Sequence, residues 1–136
     1  MTTTTRQRIL RANAFFLGAA SIGGLLFMDL PGAFFSAGPL TRIITESHAS
    51  IGFVEAHGLA LILSVLLWRA APTRSWHFTA AAVHMLLGTA NIVFWQLFVA
   101  SDTLPMGYIT TSLHWLFVTF QLLAATAKSA CPLEAA

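Results

Sequence analysis

The sequence predicts an all-α membrane protein, with four transmembrane helices in an up-down-up-down bundle that forms one domain over residues 1–136. The composition is the first indication, because 57% of the residues are hydrophobic and only 9% are charged, whereas about 25% charged residues is usual in soluble domains. The mean hydropathy of +0.75 is the second. The third is a series of four apolar blocks, each close to the roughly 20 residues that a spanning helix needs.

The predicted spans cover about residues 9–28, 49–68, 76–100 and 108–127. The connections over residues 69–75, with Pro72, and 102–107, with Pro105, are so short that the helices they join must be antiparallel neighbours. The connection over residues 29–47 is longer and apolar, but prolines and glycines interrupt it. It is therefore predicted to lie in the outer interface or to fold over the mouth of the bundle.

The basic residues predict the orientation in the membrane. Six of the seven fall on one side of the predicted bundle: Arg6, Arg8, Arg11, Arg69, Arg74 and Lys128. Because cytoplasmic connections are enriched in Lys and Arg, both termini are predicted to be cytoplasmic. The net charge of +2 is small and the basic residues are scattered, so no nucleic-acid partner is expected.

Polar side chains in the apolar spans form two predicted layers when each residue is given a rise of 1.5 Å along its helix. The outer layer, roughly 5 Å above the midplane, is the predicted ligand-binding site and consists of Glu55, His57, Asn91 and His114. The second layer, roughly 5 to 8 Å below the midplane, consists of Asn13, Ser64, His84 and Gln121. His48 and His77 fall near the interfaces, where a histidine needs no partner.

Helical phase separates two members of the outer layer. Residues seven apart share a face of a helix, so His57 and Ser64 lie together, whereas Glu55 points to the opposite face. Either Glu55 or His57, but not both, is therefore expected to meet Asn91 and His114. The other face of this helix needs a different neighbour, which favours a homo-oligomer or a subunit of a larger membrane complex.

Polar residues in membrane spans either do no more than hydrogen-bond to neighbouring helices or form a functional site, and the sequence leaves both open for the two layers. Three functions fit them if they form a site. In the leading hypothesis, the outer layer binds the head group of a hydrophobic small molecule, a quinone or a lipid. In the first alternative, His57 and His114 are the axial ligands of a b-type haem in an electron-transfer protein. In the second, Glu55 carries protons in a small proton-coupled exporter.

The sequence assigns no catalytic residue and leaves open whether the protein is an enzyme. No hydrolase triad, His-Glu-x-x-His run or phosphate loop is recognisable. A metal site is not expected either, because the opposed phases of Glu55 and His57 make shared coordination from one helix geometrically poor.

The second predicted helix also carries a family resemblance. The glycine- and leucine-rich stretch over residues 52–63, with Glu55 near its start and Arg69 at the end of the helix, resembles the second helix of DoxX-like small membrane proteins. The glycines of the first predicted helix and Pro31 at its exit are similar as well. The resemblance implies a bacterial inner-membrane protein whose relatives include subunits of quinone-linked sulfur oxidation. Glu55 is the only residue that matches the family individually.

Overall fold

The computed structural model of the chain describes residues 1–41, 43 and 50–128, and every regular element within them is helical. The elements are α1 (Thr3–Gly24), a π-helical turn (Leu25–Asp29), α2 (Leu30–Phe35), α3 (Ser50–Arg69), α4 (Arg74–Val93), α5 (Trp95–Ala100) and α6 (Leu104–Thr126). The prediction of an all-α chain is thus confirmed for the described residues. His48 lies outside them.

Three of the described helical segments are long and apolar enough to cross a membrane: Thr3–Phe35, Ser50–Arg69 and Leu104–Thr126. The segment α4 has 20 residues, but its histidines and Asn91 make it less apolar. The third predicted span is also interrupted, since α4 ends at Val93 and α5 begins at Trp95, after the non-helical Phe94.

The first helical segment continues beyond its predicted end at residue 28. The π-helical turn carries the chain from α1 into α2, where Pro31 occupies one of the first two positions and has no backbone N–H to donate to the preceding turn. The segment ends where Ser36 adopts the left-handed conformation, with φ 49°. Asp29, predicted to begin a loop, is therefore part of a helix.

The long helices pack as two antiparallel pairs, α1 with α3 and α4 with α6, and α1 also contacts α4 and α6. The short connection over residues 69–75 predicts that α3 and α4 are neighbours, and this prediction is wrong, because α3 packs on α1 and α4 packs on α6. In the first pair, Gln7 Nε2 donates to the Ala70 carbonyl near one end (3.3 Å), and Gly24 lies on His57 towards the other. A cluster of buried apolar side chains packs α1 against α3 and α4 and consists of Leu10, Ala14, Leu17, Leu67 and Ala80. Its alanines allow the backbones to approach closely.

The N-terminal residues cap the last long helix. Arg6 Nη2 donates to the Ala127 carbonyl (2.5 Å), and the N-terminal ammonium donates to the Lys128 carbonyl (2.6 Å). Positive groups are favourable at a helix C-terminus, where the last carbonyls lack partners and the helix dipole is negative. The beginning of α1 and the end of α6 therefore lie on the same side of the protein.

Candidate functional site

A chain of hydrogen bonds through five side chains joins α1, α4 and α6. His77 Nδ1 donates to Gln121 Oε1 (2.5 Å), and Gln121 Nε2 donates to Asn13 Oδ1 (2.7 Å). Asn13 Nδ2 then donates to His84 Nε2 (2.5 Å). The last bond joins His84 Nδ1 and His114 Nδ1 (2.8 Å). We call these five residues the polar chain.

The side chains of the polar chain are almost completely buried. Four members have 0% exposure and His114 has 8%. The ring of Phe117 stacks on His84, with 5.0 Å between centroids, and Phe16 packs edge-on against His114 at 5.9 Å. Because buried polar groups without partners are costly, these bonds tie the three helices to one relative arrangement. His77 Nε2 is the exception within the chain, since it is buried and has no hydrogen-bond partner among the described residues.

The chemistry of the two amides fixes where the histidine protons lie. An amide nitrogen can only donate, so His84 Nε2 must accept from Asn13 and carries no hydrogen. The single hydrogen of this neutral ring is then on Nδ1, from which it is donated to His114 Nδ1. The hydrogen of neutral His114 is consequently on Nε2. At the other end, the Gln121 oxygen can only accept, which places a hydrogen on His77 Nδ1.

This proton order is directly measurable. With the amide orientations of the structure, ¹⁵N NMR on histidine-labelled protein is expected to report the Nδ1–H form for His84 and the Nε2–H form for His114. In the Asn13→Ala variant, the constraint on His84 is lost and its two tautomers are expected to mix. An Nε2–H form of His84 in the unmodified protein would contradict the assigned direction of the chain.

A second polar group lies between α3 and the π-helical turn. His57 Nδ1 donates to Asp29 Oδ2 at 2.5 Å, and the exposure of the two side chains is 30% and 0%. The other carboxylate oxygen, Asp29 Oδ1, is buried and has no hydrogen-bond partner among the described residues. His57 Nε2 is not hydrogen-bonded within the described part of the chain either. Each residue of the pair therefore has one polar atom, Asp29 Oδ1 or His57 Nε2, that is left without a hydrogen-bond partner.

The π-helical turn and Gly24 explain how Asp29 and His57 meet. In a regular α-helix, Asp29 would be turned by about 140° from Gly24, but the wider π turn keeps both residues on the face towards α3. Gly24 leaves the space for the ring, because a Cβ at this position would overlap the His57 imidazole. By contrast, a Cβ at the neighbouring Gly23 would meet nothing within 4 Å.

The residues of the predicted outer layer fall into separate surroundings. His57 pairs with Asp29, and His114 bonds to His84. Asn91 Nδ2 donates to the hydroxyl of Thr110 at 3.2 Å. Glu55 is exposed on α3 and has no hydrogen bond or ion pair with any described residue. No hydrogen bond joins any two of these four residues in the described ranges.

Three residues of the second predicted layer belong to the polar chain. Asn13, His84 and Gln121 are consecutive members of it in space, on α1, α4 and α6. Ser64 is buried but separate: its hydroxyl donates to the Leu61 carbonyl (2.8 Å) and packs against Gly18. Asn13, His84 and Gln121 thus lie at the same level of three helices and are bonded to one another. Ser64 lies on α3 and contacts α1 at Gly18, without joining them.

The sequence does not predict the hydrogen bonds of two residues, His77 in the polar chain and Asp29 in the pair with His57. His77 was expected at an interface without a partner, and that expectation is wrong, because its side chain has 0% exposure and bonds to Gln121. The seven-residue spacing of His77, His84 and Asn91 could have indicated it. Asp29 gave no such signal, because its position depends on the π-helical turn.

The histidines proposed as haem ligands belong to different groups. His57 is bonded to Asp29 next to Gly24, while His114 is bonded to His84 between aromatic rings. Among the residues that the structure describes, no three His, Cys, Asp or Glu side chains form a group that could hold a metal ion.

Comparisons with family models, with curated proteins and with solved structures returned no match to this chain. The resemblance to DoxX-like proteins therefore stays a prediction, and the inferences below depend on the geometry and chemistry of the chain itself.

Proposed function

We propose that this protein is a four-helix bundle of the bacterial inner membrane that binds the head group of a quinone at the Asp29–His57 pair. In this proposal α4 also crosses the membrane, in addition to the three helical segments that are long and apolar enough to do so. Support comes from the two faces of α4, which differ in polarity. The polar side chains His77 and His84 are on the buried face, against other helices. Large apolar side chains occupy its exposed side: Phe78, Met85, Leu86, Ile92 and Val93.

The proposed orientation has both termini in the cytoplasm. The contacts of Met1 and Arg6 with the end of α6 support a common side for the two termini. The concentration of basic residues on that side supports its assignment to the cytoplasm.

The observation that carries the proposed binding function is the half-exposed His57 held by a buried carboxylate. Removing a carboxylate from water is expensive even when it is paired, and the cost is larger when one of its oxygens has no partner. His57 lies roughly 10 Å along α3 from Ser50, and its 30% exposure leaves part of the ring accessible. Such a pair at membrane depth fits a hydrophobic ligand with a polar head.

The chemistry of the pair suits both redox forms of a quinone. Asp29 accepts the Nδ1 hydrogen of His57 and thereby orients the ring, so that Nε2 is left for the ligand. The neutral ring can accept a hydrogen bond from a quinol hydroxyl at Nε2. A ring with a hydrogen on both nitrogens can instead donate one from Nε2 to a quinone carbonyl. The proposal is for binding and includes no redox step.

Binding can be tested by titrating the protein in mild detergent with a water-soluble short-chain ubiquinone and following tryptophan fluorescence. Removing a charge-assisted hydrogen bond is expected to weaken binding roughly 10- to 100-fold, so His57→Ala should raise the Kd by this factor. Asp29→Asn should also weaken binding, because an amide orients the ring without stabilising its charge.

The matched control is Glu55→Gln, which changes an exposed carboxylate on the same helix, two residues from His57. It should leave the Kd unchanged. A protein that does not bind the quinone, or an equal loss in Glu55→Gln and His57→Ala, would refute the assignment of the site.

A further inference from the structure

Two adjoining cavities follow the same side of α1. The first is an open apolar groove of about 430 Å³ between α1 and α3, lined by small α1 residues such as Gly18 and Ala19 and ending at Trp68 and Arg69. The second has a volume of about 320 Å³ and lies at the beginning of α1. Its lining is polar and basic: Thr3, Thr4, Gln7, Arg8 and Arg11. Both are open depressions of the surface, and the second is lined by residues of α1 alone.

Arg11 connects the two cavities. Its guanidinium lies over the Trp68 ring at 5.6 Å from the centroid, so a residue of the polar cavity contacts a residue that lines the apolar groove. Tryptophan at this position is typical of the interface between the hydrocarbon and the head groups. The apolar groove therefore extends into the span, and the polar cavity lies at the level of the head groups.

We call the apolar groove and the polar cavity together the composite groove. Its basic end has no acidic partner among the described residues. Arg8, Arg11 and Arg69 are exposed, and none of them forms an ion pair with a carboxylate in the described part of the chain. Three cations at the head-group end of an apolar groove are complementary to a molecule that has a long apolar part and a negatively charged head.

We propose that the composite groove binds an anionic phospholipid from the leaflet that the arginines face. Its acyl chain would occupy the space beside Gly18 and Ala19, and its phosphate would contact Arg8 and Arg11. Basic pockets beside membrane helices attract anionic head groups, at about fivefold in affinity for each Lys or Arg. This site is independent of the proposed quinone site, because it involves neither Asp29 nor His57.

The head-group contact is tested with protein in neutral detergent, by native mass spectrometry with phosphatidylglycerol and phosphatidylcholine carrying the same acyl chains. We expect preferential retention of phosphatidylglycerol, and a loss of roughly 25-fold in affinity in the double variant Arg8→Gln, Arg11→Gln. Arg74→Gln, at the exposed start of α4, removes the same charge elsewhere and should have no effect. Equal retention of the two lipids, or an equal loss in Arg74→Gln, would overturn the proposal.

The acyl contact has its own matched pair of variants. Ala19→Leu fills the apolar groove, whereas Ala20→Leu adds the same bulk at an exposed position that does not line it. Only the first should reduce retention of phosphatidylglycerol. Equal effects of the two would exclude the groove as the acyl site. His57→Ala should retain the lipid, so failure of quinone binding and failure of lipid binding are distinguishable.

Discussion

Replacing Asn13 with alanine is expected to lower the free energy of unfolding by about 2 to 6 kcal/mol. Asn13 is the only member of the polar chain on α1, where it accepts from Gln121 of α6 and donates to His84 of α4. Its removal leaves Gln121 Nε2 and His84 Nε2 buried without partners, at about 1 to 3 kcal/mol each. The loss is larger than the roughly 0.6 kcal/mol typical of one hydrogen bond between membrane helices.

The matched control for this prediction is Asn91→Ala. Asn91 is half-buried and bonds to a single partner, Thr110, so its removal should cost only about 0.6 kcal/mol. Unfolding in a detergent titration, followed by circular dichroism, compares the two variants. If Asn13→Ala costs no more than Asn91→Ala, the polar chain does not hold α1 against the α4–α6 pair.

The depths of buried residues could be predicted from the sequence because the two ends of an apolar span fix where its midpoint lies. A rise of 1.5 Å per residue from that midpoint places His84 and Gln121 at the level of Asn13. Helical phase was equally informative on α3, where Ser64 is buried and Glu55 is exposed. Both inferences need only the geometry of a single regular helix.

The partners of those residues could not be predicted, because they depend on how each helix is rotated about its axis. His57 and His114 have similar predicted depths, yet His57 faces α1 and the π-helical turn, and His114 faces α4. Asp29 needed still more information, since one irregular turn decides whether its side chain points to α3. Irregular backbone of this kind has no hydrophobic period that a sequence could reveal.

Gly24→Ala is expected to cost about 1 to 3 kcal/mol of stability, the range for leaving a buried hydrogen-bonding group without its partner. The added methyl group would occupy the place of the His57 ring, so the ring must move away from Asp29. The carboxylate of Asp29 would then be buried with no partner at either oxygen among the described residues. Because His57 has 30% exposure, its displaced ring can still reach an accessible position, which keeps the cost from being higher.

Gly23→Ala provides the matched control, since the same methyl group one residue earlier meets nothing within 4 Å. It should leave the fold unchanged or stabilise it by up to about 1 kcal/mol, because alanine loses less backbone entropy than glycine in a helix. In an Asp29→Asn background, where no carboxylate is stranded, Gly24→Ala should cost clearly less than in the unmodified protein. Equal costs in the two backgrounds would mean that the methyl group acts by crowding alone, and the Asp29–His57 pair would then have no part in holding α3 against the π-helical turn.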